Sequence, residues 1–358
     1  YCGGGIISAN ATDDLRRLQG KIGCPVTMTL MGLGAFPGSD PLWLGMIGMH
    51  GTYRANMSTG NCDLLIAIGV RFDDRVTGRT DAFASQAKIV HIDIDPTSIR
   101  KNIPVTIPVV GDCKASLHQL NGLLEKTDLK DTEKRRQPWL DQIEQWKNTS
   151  PLAYEQKETI KPQYVVEKLY ELTRGKAIIT TEVGQNQMWA AQYFDFKHPR
   201  LWLTSGSMGT MGFGLPAAIG AQFAARDHLV IDVDGDASIR MNLGELETCT
   251  TYELPVKTVV LNNFGDGMVK QWQNLFYDGR LSQVELSPTV PDFVKFAEAC
   301  GGVGLRADHP SEVAGVIEKA LAIDDRVVVV EFTCDPEAMV FPMVPAGGSN
   351  DDLILSKE

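Results

Sequence analysis

The stretch LVIDVDGDASIRMNLGELETCTTYELPVKTVVLNNFGDGMVKQW, residues 229–272, predicts a strand, a turn, a helix, a second strand and a glycine-rich loop. Residues 229–233 form a short apolar run rich in β-branched side chains, which favours a buried parallel strand. Residues 241–252 have apolar side chains at helical spacing, and residues 256–261 repeat the strand pattern. Together they predict a βαβ unit and therefore an α/β fold with a parallel sheet.

Polar residues follow both strands of this unit. Asp236 lies in the turn after the first strand, and Asn263 follows the second. Ligands of open α/β sheets bind at the carboxyl ends of the strands. One carboxylate, one amide oxygen and a backbone carbonyl of the following loop, completed by phosphates and water, would suit Mg²⁺. Alternatively, both are ordinary turns that end strands. Their position in one βαβ unit favours the metal site.

Two motifs of this region resemble a known family. The segment Gly235-Asp236-Ala237 with Asn262-Asn263 resembles the paired GDG and NN signature of thiamine-diphosphate enzymes, with alanine in the third position. GMVKQWQ, residues 267–273, resembles the mobile substrate loop of the large subunit of acetohydroxyacid synthase, also called acetolactate synthase. The resemblance implies decarboxylation of pyruvate and condensation with a second 2-oxoacid, giving acetolactate or acetohydroxybutyrate for the synthesis of isoleucine, valine and leucine. A related flavin-containing carboligase, a pyruvate oxidase or a noncatalytic cofactor-binding fragment are the alternatives.

The resemblance also implies roles for individual residues. The carbonyl of Gly209 would contact the 4′-amino group of the cofactor, and Met211 would wedge its two rings into a bent conformation. Met268 and Trp272 would line the substrate site, where an aromatic side chain can bias the acceptor towards 2-ketobutyrate. The implied metal ligands are Asp236, Asn263 and Gly265.

The remaining contacts to thiamine diphosphate implied by the resemblance come from the strand ends. One of the segments that provide these contacts is EVGQNQMW at residues 182–189. It resembles the family segment VGQHQMW, with Asn186 where histidine is usual. The full set is Val183, Gly184, Gln185, Asn186, Gly235, Asp236, Ala237, Ser238, Asn263, Gly265, Gly267 and Met268.

A second group of glycines, arginines and carboxylates lies in the first third of the chain. Arg71 and Arg75 follow a predicted strand and could grip a pyrophosphate, because guanidinium groups match phosphate geometry. Alternatively, they form a salt-bridged surface loop with Asp73 and Asp74. His50 could equally be a hydrogen-bonded loop histidine. By the resemblance, FAD would lie along Gly3, Gly4, Thr29, Leu30, Gly48, Met49, His50, Gly69, Arg71, Asp73, Arg75, Val76, Asp93, Ile94, Gly111 and Asp112.

Strand and helix patterns alternate along the chain and predict two doubly wound parallel-sheet domains. In the first, strands are expected at residues 26–30, 64–69, 89–94 and 105–110. We expect a flavodoxin/Rossmann-like FAD-binding domain at residues 1–124, a linker with an amphipathic helix at 125–160, a thiamine-diphosphate/Mg²⁺ domain at 161–340 and a tail over the active site at 341–358. The abrupt start suggests a fragment without the family's N-terminal domain, which supplies an acid–base glutamate.

Composition limits the class of protein. A net charge of −11 argues against nucleic-acid binding. The seven cysteines and six histidines show no metal-ligand or disulfide spacing. No apolar run is long enough to span a membrane. We therefore expect a cytoplasmic or organelle-matrix enzyme. The resemblance further implies small 2-oxoacid substrates and assembly as a homodimer or tetramer, with or without a regulatory small subunit.

Overall fold

A computed structural model describes residues 1–287 and 291–356. Its contacts divide the chain into two compact units. Unit 1 comprises Tyr1–Ala153, Phe196–Pro199 and Phe341–Glu358, and unit 2 comprises Tyr154–Asp195 and Arg200–Val340.

The strands of unit 1 pair in parallel. They are β1 (Val26–Met28), β2 (Trp43–Met46), β3 (Leu64–Ile68), β4 (Lys88–Asp93) and β5 (Ile107–Val110). β1 pairs with β2, and β4 lies between β3 and β5. Cys2 forms parallel bridges to Met28 and to Ile68, so it connects the two groups of strands. The expected parallel arrangement is confirmed, whereas β2 was not predicted because Gly45, at φ +96°, interrupts its apolar pattern.

Helices connect these strands. They are α1 (Gly4–Ser8), α2 (Thr12–Ile22), α3 (Tyr53–Asn61), α4 (Asp74–Thr77), α5 (Cys113–Leu124) and α6 (Thr132–Thr149). α6 packs Ile143, Trp139 and Trp146 against the core of unit 1, and the two indole rings meet edge to face at 5.5 Å. This packing explains how the helix continues through Pro138, which removes a backbone donor.

Unit 2 contains a parallel sheet. Its strands are β6 (Ile178–Thr181), β7 (Trp202–Thr204), β8 (Val230–Gly235), β9 (Lys257–Asn262), β10 (Val303–Ala307) and β11 (Val328–Thr333). Their order in the sheet is β10-β11-β9-β8-β6-β7. β8 and β9 are parallel neighbours, as the βαβ pattern predicts. From β6 the chain builds to one side through β7 and to the other through β8, so the strand order reverses between β6 and β8.

The helices of unit 2 correct two expectations. They are α7 (Pro162–Thr173), α8 (Gln185–Tyr193), α9 (Gly214–Ala224), α10 (Leu246–Thr251), α11 (Gly267–Phe276), α12 (Phe293–Ala299) and α13 (Val313–Leu321). The glycine-rich loop expected after residue 263 is wrong from Gly267 onward, because α11 begins there and carries Trp272. The helix expected over residues 241–252 is reduced to α10 after two short 3₁₀ turns, since Asn242 and Gly244 favour non-helical backbone.

Three acids are buried at the centre of this sheet. Asp232 and Asp234 lie on β8, and Glu182 follows β6; each is 0% exposed. Burial raises the pKa of all three, that of Asp232 to about 8, and the neighbouring carboxylates add to the effect on Asp232 and Asp234. Thr180 Oγ1 donates to Asp232 Oδ1 at 2.9 Å, which offsets only part of this cost. The folded chain therefore holds protons that the unfolded chain would release.

We expect Asp232→Asn to become more stabilising, relative to wild type, as pH rises. The folded pKa lies above the ordinary value, so Asp232 costs nothing when protonated in both states, and its cost accumulates as pH rises towards the folded pKa. The neutral amide does not titrate. Thermal unfolding followed by circular dichroism should show the Tm difference growing between about pH 4 and about pH 8 and levelling off above that. The exposed control Asp227→Asn should show no such growth, and a pH-independent difference for Asp232→Asn would contradict the account.

Candidate cofactor and metal site

The sequence-predicted residues of unit 2 meet at the carboxyl ends of three adjacent strands. Val183 and Gly184 follow β6, Asp236 follows β8, and Asn263 follows β9. In open parallel sheets, ligands bind at this edge where the strand order reverses. The fold therefore places the predicted residues at the edge suited to a ligand.

Asp236 is the chemical centre of this edge. It is 2% exposed, and burial raises its pKa to about 7 despite the lowering effects of its own amide, Arg240 and the backbone amides of Asn263 and Gly265. These amides show that the three predicted metal ligands lie together. Oδ1 of Asp236 has no hydrogen-bond partner among the described residues. A buried carboxylate oxygen without a partner needs a proton or a cation.

The available donors fit a hard cation that keeps ligands outside the protein. Among residues 1–287 and 291–356 there is no cluster of three or more His, Cys, Asp or Glu side chains that could hold a metal ion. The edge instead offers the Asp236 carboxylate, the Asn263 amide and the Gly265 carbonyl. Mg²⁺ accepts such oxygen donors and commonly retains water or phosphate in its remaining positions.

The beginning of α8 lies at the same edge of the sheet, after β6. Gly184 caps the helix in a backbone conformation, φ +153°, that favours glycine, and Gln185 is its first residue. The first amides of a helix lack internal partners and attract anions such as phosphate. The position fits the diphosphate contact expected for residues 183–186.

Asn186 uses its side chain within the protein. Its Nδ2 donates to the backbone carbonyls of Glu182 at 3.1 Å and Val233 at 2.9 Å, tying the end of β6 to that of β8. Its Oδ1 faces Gly184 and Gly235, where added β-carbons would lie 2.7 and 3.3 Å away. The asparagine thus fixes the backbone of two predicted cofactor-binding segments, including Gly235.

Glu182 was not assigned a role from the sequence, yet it holds the loop that contains Gly209 and Met211. Its carboxylate oxygens accept from the amides of Gly212 at 2.6 Å and Gly214 at 2.7 Å. Gly209 and Gly212 adopt φ values of +60° and +91°, which favour glycine. The signal available in the sequence was an acid directly after a buried strand.

Ala237 and Ser238 complete the turn after β8. Ser238 Oγ donates to Asp234 Oδ1 at 2.8 Å, and Asp234 Oδ1 also accepts from the amide of Gly235 at 2.7 Å. These contacts fix the turn internally. The hydroxyl of Ser238 is therefore engaged with a buried carboxylate.

Met268 and Trp272 lie on α11. Both are half-buried, and the Trp272 ring meets Phe276 edge to face at 5.3 Å. The expectation of a loop setting for Trp272 is thus wrong, because residues 267–276 satisfy their backbone groups as a helix. The indole of Trp272 is therefore carried by a helix and packs against the ring of Phe276.

The FAD residues expected in unit 1 lie in the segments that follow β1 to β5, together with Gly3 and Gly4. Thr29 and Leu30 follow β1, Gly48 to His50 follow β2, Gly69 to Val76 follow β3, Ile94 follows Asp93 at the end of β4, and Gly111 and Asp112 follow β5. The amide of Met49 donates to the carbonyl of Arg75 at 2.8 Å, joining two of these segments. Because these strands are parallel, the segments share one edge.

Two of the glycines in residues 3–5 are required by a close backbone contact within the protein. A β-carbon on Gly3 would lie 2.3 Å from the carbonyl oxygen of Gly69, and one on Gly5 would lie 2.6 Å from the Cα of Gly69. Gly3 and Gly5 therefore allow a close backbone approach to Gly69. A β-carbon on Gly4 would make only ordinary contacts with Met31.

The charged residues of this edge are paired. Arg71 lies 3.6 Å from Asp73 and Arg75 lies 3.1 Å from Asp74, and both arginine side chains are 63% exposed. Such exposed pairs contribute little stability, so a bound pyrophosphate could replace them at small cost. The salt-bridged loop is therefore present, and both guanidinium groups remain accessible at the strand ends.

The predicted carboxylates of unit 1 organise local backbone. Asp73 accepts from the amide of Arg75 at 3.2 Å and Asp112 from that of Ala115 at 3.0 Å, so they cap α4 and α5. Asp93 Oδ1 accepts from the amide of Asp95 at 2.9 Å.

His50 is buried and bonded. Its Nδ1 lies 3.2 Å from the carbonyl oxygen of Pro342, and burial lowers its pKa to about 4. A pKa so far below 7 keeps the imidazole neutral at neutral pH. The structure thus gives His50 the contact of a hydrogen-bonded loop histidine.

The tail from residue 341 packs within unit 1. Val344 donates its amide to the carbonyl of Met49 at 2.8 Å, and Arg79 donates its amide to the carbonyl of Gly348 at 2.9 Å. A cavity of about 280 Å³ lies between the tail and the loop after β3, with Met49, Arg75 and Val344 in its lining. Lys357 and Glu358 lie outside the described residues.

Family models match both units. A model described as the thiamine pyrophosphate enzyme C-terminal TPP binding domain matches residues 182–332. A model described as the thiamine pyrophosphate enzyme central domain matches residues 1–120. Residues 1–120 and 182–332 therefore belong to two domain families of thiamine pyrophosphate enzymes.

Relatives that are 45–47% identical to this chain are named acetolactate synthases. The acetolactate synthase large subunit of Haemophilus influenzae is 45% identical over 358 residues, which are 100% of this chain and 62% of the relative. The isozyme 3 large subunit of Escherichia coli is 47% identical, covering 100% of this chain and 62% of the relative. Acetolactate synthase of Mycobacterium leprae is 46% identical, covering 99% and 57%. The chain thus spans less than two thirds of the length of these relatives.

The described residues contain no helix that is both long and apolar enough to cross a membrane.

We expect Asp236→Ala to abolish Mg²⁺-dependent binding of thiamine diphosphate. Asp236 is the charged member of the ligand set, and an amide with a carbonyl oxygen is too weak a site for Mg²⁺. Titration of the cofactor with and without Mg²⁺, followed by tryptophan fluorescence, measures the effect. Asp266→Ala, on the loop between Asn263 and Gly267, is the matched control and should retain binding. An affinity within a few-fold of wild type for Asp236→Ala would overturn the metal assignment.

Proposed function

We propose that this chain forms the thiamine-diphosphate and Mg²⁺ site of an acetolactate synthase, which decarboxylates pyruvate and condenses the product with a second 2-oxoacid. The observation that carries the proposal is the buried Asp236 carboxylate. Its unpartnered Oδ1 lies at the carboxyl end of β8, with the amides of Asn263 and Gly265 close to the same group. The relatives named acetolactate synthase support the same reaction.

Different residues of unit 2 would bind the metal ion and the diphosphate of the cofactor. Asp236, Asn263 and Gly265 would hold Mg²⁺, and the first amides of α8 would hold the diphosphate. Thiamine diphosphate, when bound, supplies carbanion stabilisation. Glu182 fixes the backbone of Gly212 and Gly214, and so restrains the preceding loop. On that loop, the Gly209 carbonyl would accept from the 4′-amino group, and Met211 would support the bent conformation of the cofactor.

Unit 1 would bind FAD along its strand ends. Support comes from the segments after β1 to β5, which share one edge, and from the exposed guanidinium groups of Arg71 and Arg75. The arginines would take the pyrophosphate in place of their aspartate partners. The flavin would serve the structure of the site.

The complete enzyme would contain more than this chain. The relatives are longer, and an N-terminal domain would supply the acid–base glutamate that activates the cofactor. We further propose assembly as a dimer or tetramer, with a possible regulatory subunit, because two of the relatives are named large subunits.

The proposed reaction is tested by product analysis. The enzyme, combined with an added N-terminal domain of the family, is incubated with pyruvate alone and with pyruvate plus 2-ketobutyrate. Formation of acetolactate and acetohydroxybutyrate, dependent on thiamine diphosphate and Mg²⁺, supports the proposal. Oxidative formation of acetyl phosphate would instead identify a pyruvate oxidase, and products from glyoxylate a different carboligase.

We expect Arg71→Ala to weaken FAD binding and leave thiamine-diphosphate affinity unchanged, because the two cofactors use different units. Loss of a charge-assisted phosphate contact should cost about 1.5–3 kcal/mol. Flavin content of the purified variant, measured by absorbance, checks this. Arg135→Ala, an exposed arginine on α6, is the control. Flavin content equal to that of wild type would leave Arg71 with only its surface ion pair.

We expect Trp272→Leu to alter the choice of acceptor more than the first decarboxylation. A smaller side chain removes apolar surface that would contact the additional methylene of 2-ketobutyrate, and this contact would favour 2-ketobutyrate over pyruvate as the acceptor. One methylene in an apolar pocket is worth about 1–3 kcal/mol, so selectivity should fall by roughly tenfold. Competition assays of the complete enzyme with both 2-oxoacids measure this.

Phe276→Leu provides the control for packing, because Phe276 supports the Trp272 ring on the same helix. If both variants lower all rates alike and keep the product ratio, Trp272 only packs α11 against its surroundings. A changed ratio confined to Trp272→Leu supports the selectivity role.

A further inference from the structure

Three buried amide side chains form a continuous hydrogen-bonded row that ends at Asn263. Asn263, Gln185 and Gln271 are 6%, 4% and 1% exposed. They come from three elements: the residue after β9, the first residue of α8 and the second turn of α11. Asn263 Nδ2 donates to Gln185 Oε1 at 2.9 Å, and Gln185 Nε2 donates to Gln271 Oε1 at 2.9 Å.

Backbone groups fix the direction of this row. The amide of Val340 can only donate, and it donates to Gln271 Oε1 at 2.8 Å. The carbonyl of Val340 can only accept, and it accepts from Gln271 Nε2 at 3.0 Å. The orientation of the Gln271 amide is therefore determined. A reversed amide would place its nitrogen against the amide of Val340, donor against donor, and its oxygen against the carbonyl of Val340, acceptor against acceptor.

Gln185 is fixed from two sides. Its Nε2 donates to Gln271 Oε1 and also to the carbonyl of Ala338 at 3.0 Å. A reversed Gln185 would face both acceptors with its own oxygen. Its Oε1 must therefore point to Asn263, where it can only accept. Asn263 consequently turns its nitrogen towards Gln185, which leaves the oxygen as the opposite end of its amide.

We propose that Gln271 and Gln185 are positioning residues that orient the Asn263 amide so that its oxygen, and not its nitrogen, is offered to Mg²⁺. The inference rests on the proposed function, since it assigns a role around the same metal. The two ends of an amide have nearly the same shape, but only the oxygen can ligate a cation. An asparagine ligand therefore needs a partner that selects its orientation, as other metal ligands need partners that orient them.

Gly267 belongs to the same arrangement. A β-carbon at this position would lie 2.1 Å from Gln185 Oε1 and 2.8 Å from Asn263 Nδ2. Any larger residue would push these two atoms apart. The glycine at the start of α11 thus leaves the space through which the hydrogen bond passes.

The test is Mn²⁺ binding to the 358-residue chain in the presence of thiamine diphosphate, measured by electron paramagnetic resonance. Gln271→Met keeps the side-chain length and removes the polarity. We expect Mn²⁺ affinity to fall by about tenfold to a hundredfold. Gln222→Met is the matched control: Gln222 is 1% exposed and bonds to carbonyls at the end of α9, beyond which the chain enters β8 at the opposite edge of the sheet.

A second background separates orientation from general damage. In Asn263→Asp, both ends of the side chain are oxygens, so no orientation remains to be selected. The new carboxylate faces Gln185 Oε1, which can only accept, and the loss of Gln271 removes one of the two contacts that hold Gln185 in that orientation. We therefore expect Gln271→Met not to lower Mn²⁺ affinity in this background. An equal loss in both backgrounds would overturn the positioning role and assign Gln271 to packing.

The outcomes distinguish the two proposals. Wild-type chain that binds no Mn²⁺ with thiamine diphosphate overturns the proposed metal site, and the positioning role with it. Wild-type binding that Gln271→Met leaves unchanged overturns the positioning role alone. A loss in Gln271→Met, absent in Gln222→Met and absent in the Asn263→Asp background, supports it.

Discussion

A buried carboxylate with an unpartnered oxygen, at the carboxyl end of β8, is the constraint around which unit 2 is arranged. Asp236 is 2% exposed, and its Oδ1 has no partner in the described residues. An isolated charge in such a place is costly, which is why its pKa is raised to about 7. A divalent cation bound there would remove this cost and would favour a metal-bound phosphate ligand.

The surrounding sheet provides the rest of the candidate site around the Asp236 carboxylate. Parallel pairing of β6, β8 and β9 brings their carboxyl ends to one edge, and the reversal of strand order between β6 and β8 opens space there. Buried side chains then fix the backbone at this edge. Glu182 accepts from the amides of Gly212 and Gly214, and Asn186 joins the ends of β6 and β8. Preorganisation of this kind is expected where a ligand must be held in one geometry.

The sequence revealed features that depend on neighbouring residues in the chain. The βαβ unit and the positions of Asp236 and Asn263 at strand ends follow from local apolar patterns, and the structure confirms that arrangement. The pairing of Gln271 with Gln185 and Val340 could not be predicted, because the partners lie 86 and 69 residues away. α11 was mistaken for a loop because glycines precede it, although Gly267 is its first residue and leaves the helix intact. Residues 30–32 similarly turn away from β1 in a 3₁₀ helix that apolar composition alone does not indicate.

The most direct test of the account is isothermal titration of thiamine diphosphate into the 358-residue chain, with Mg²⁺ and with a chelator. The account predicts binding at one site per chain that requires the divalent cation. It also predicts proton release when the metal binds, because Asp236 holds a proton near neutral pH and must lose it to ligate the metal. Cofactor binding of equal affinity in the chelator, with no proton release, would contradict the account.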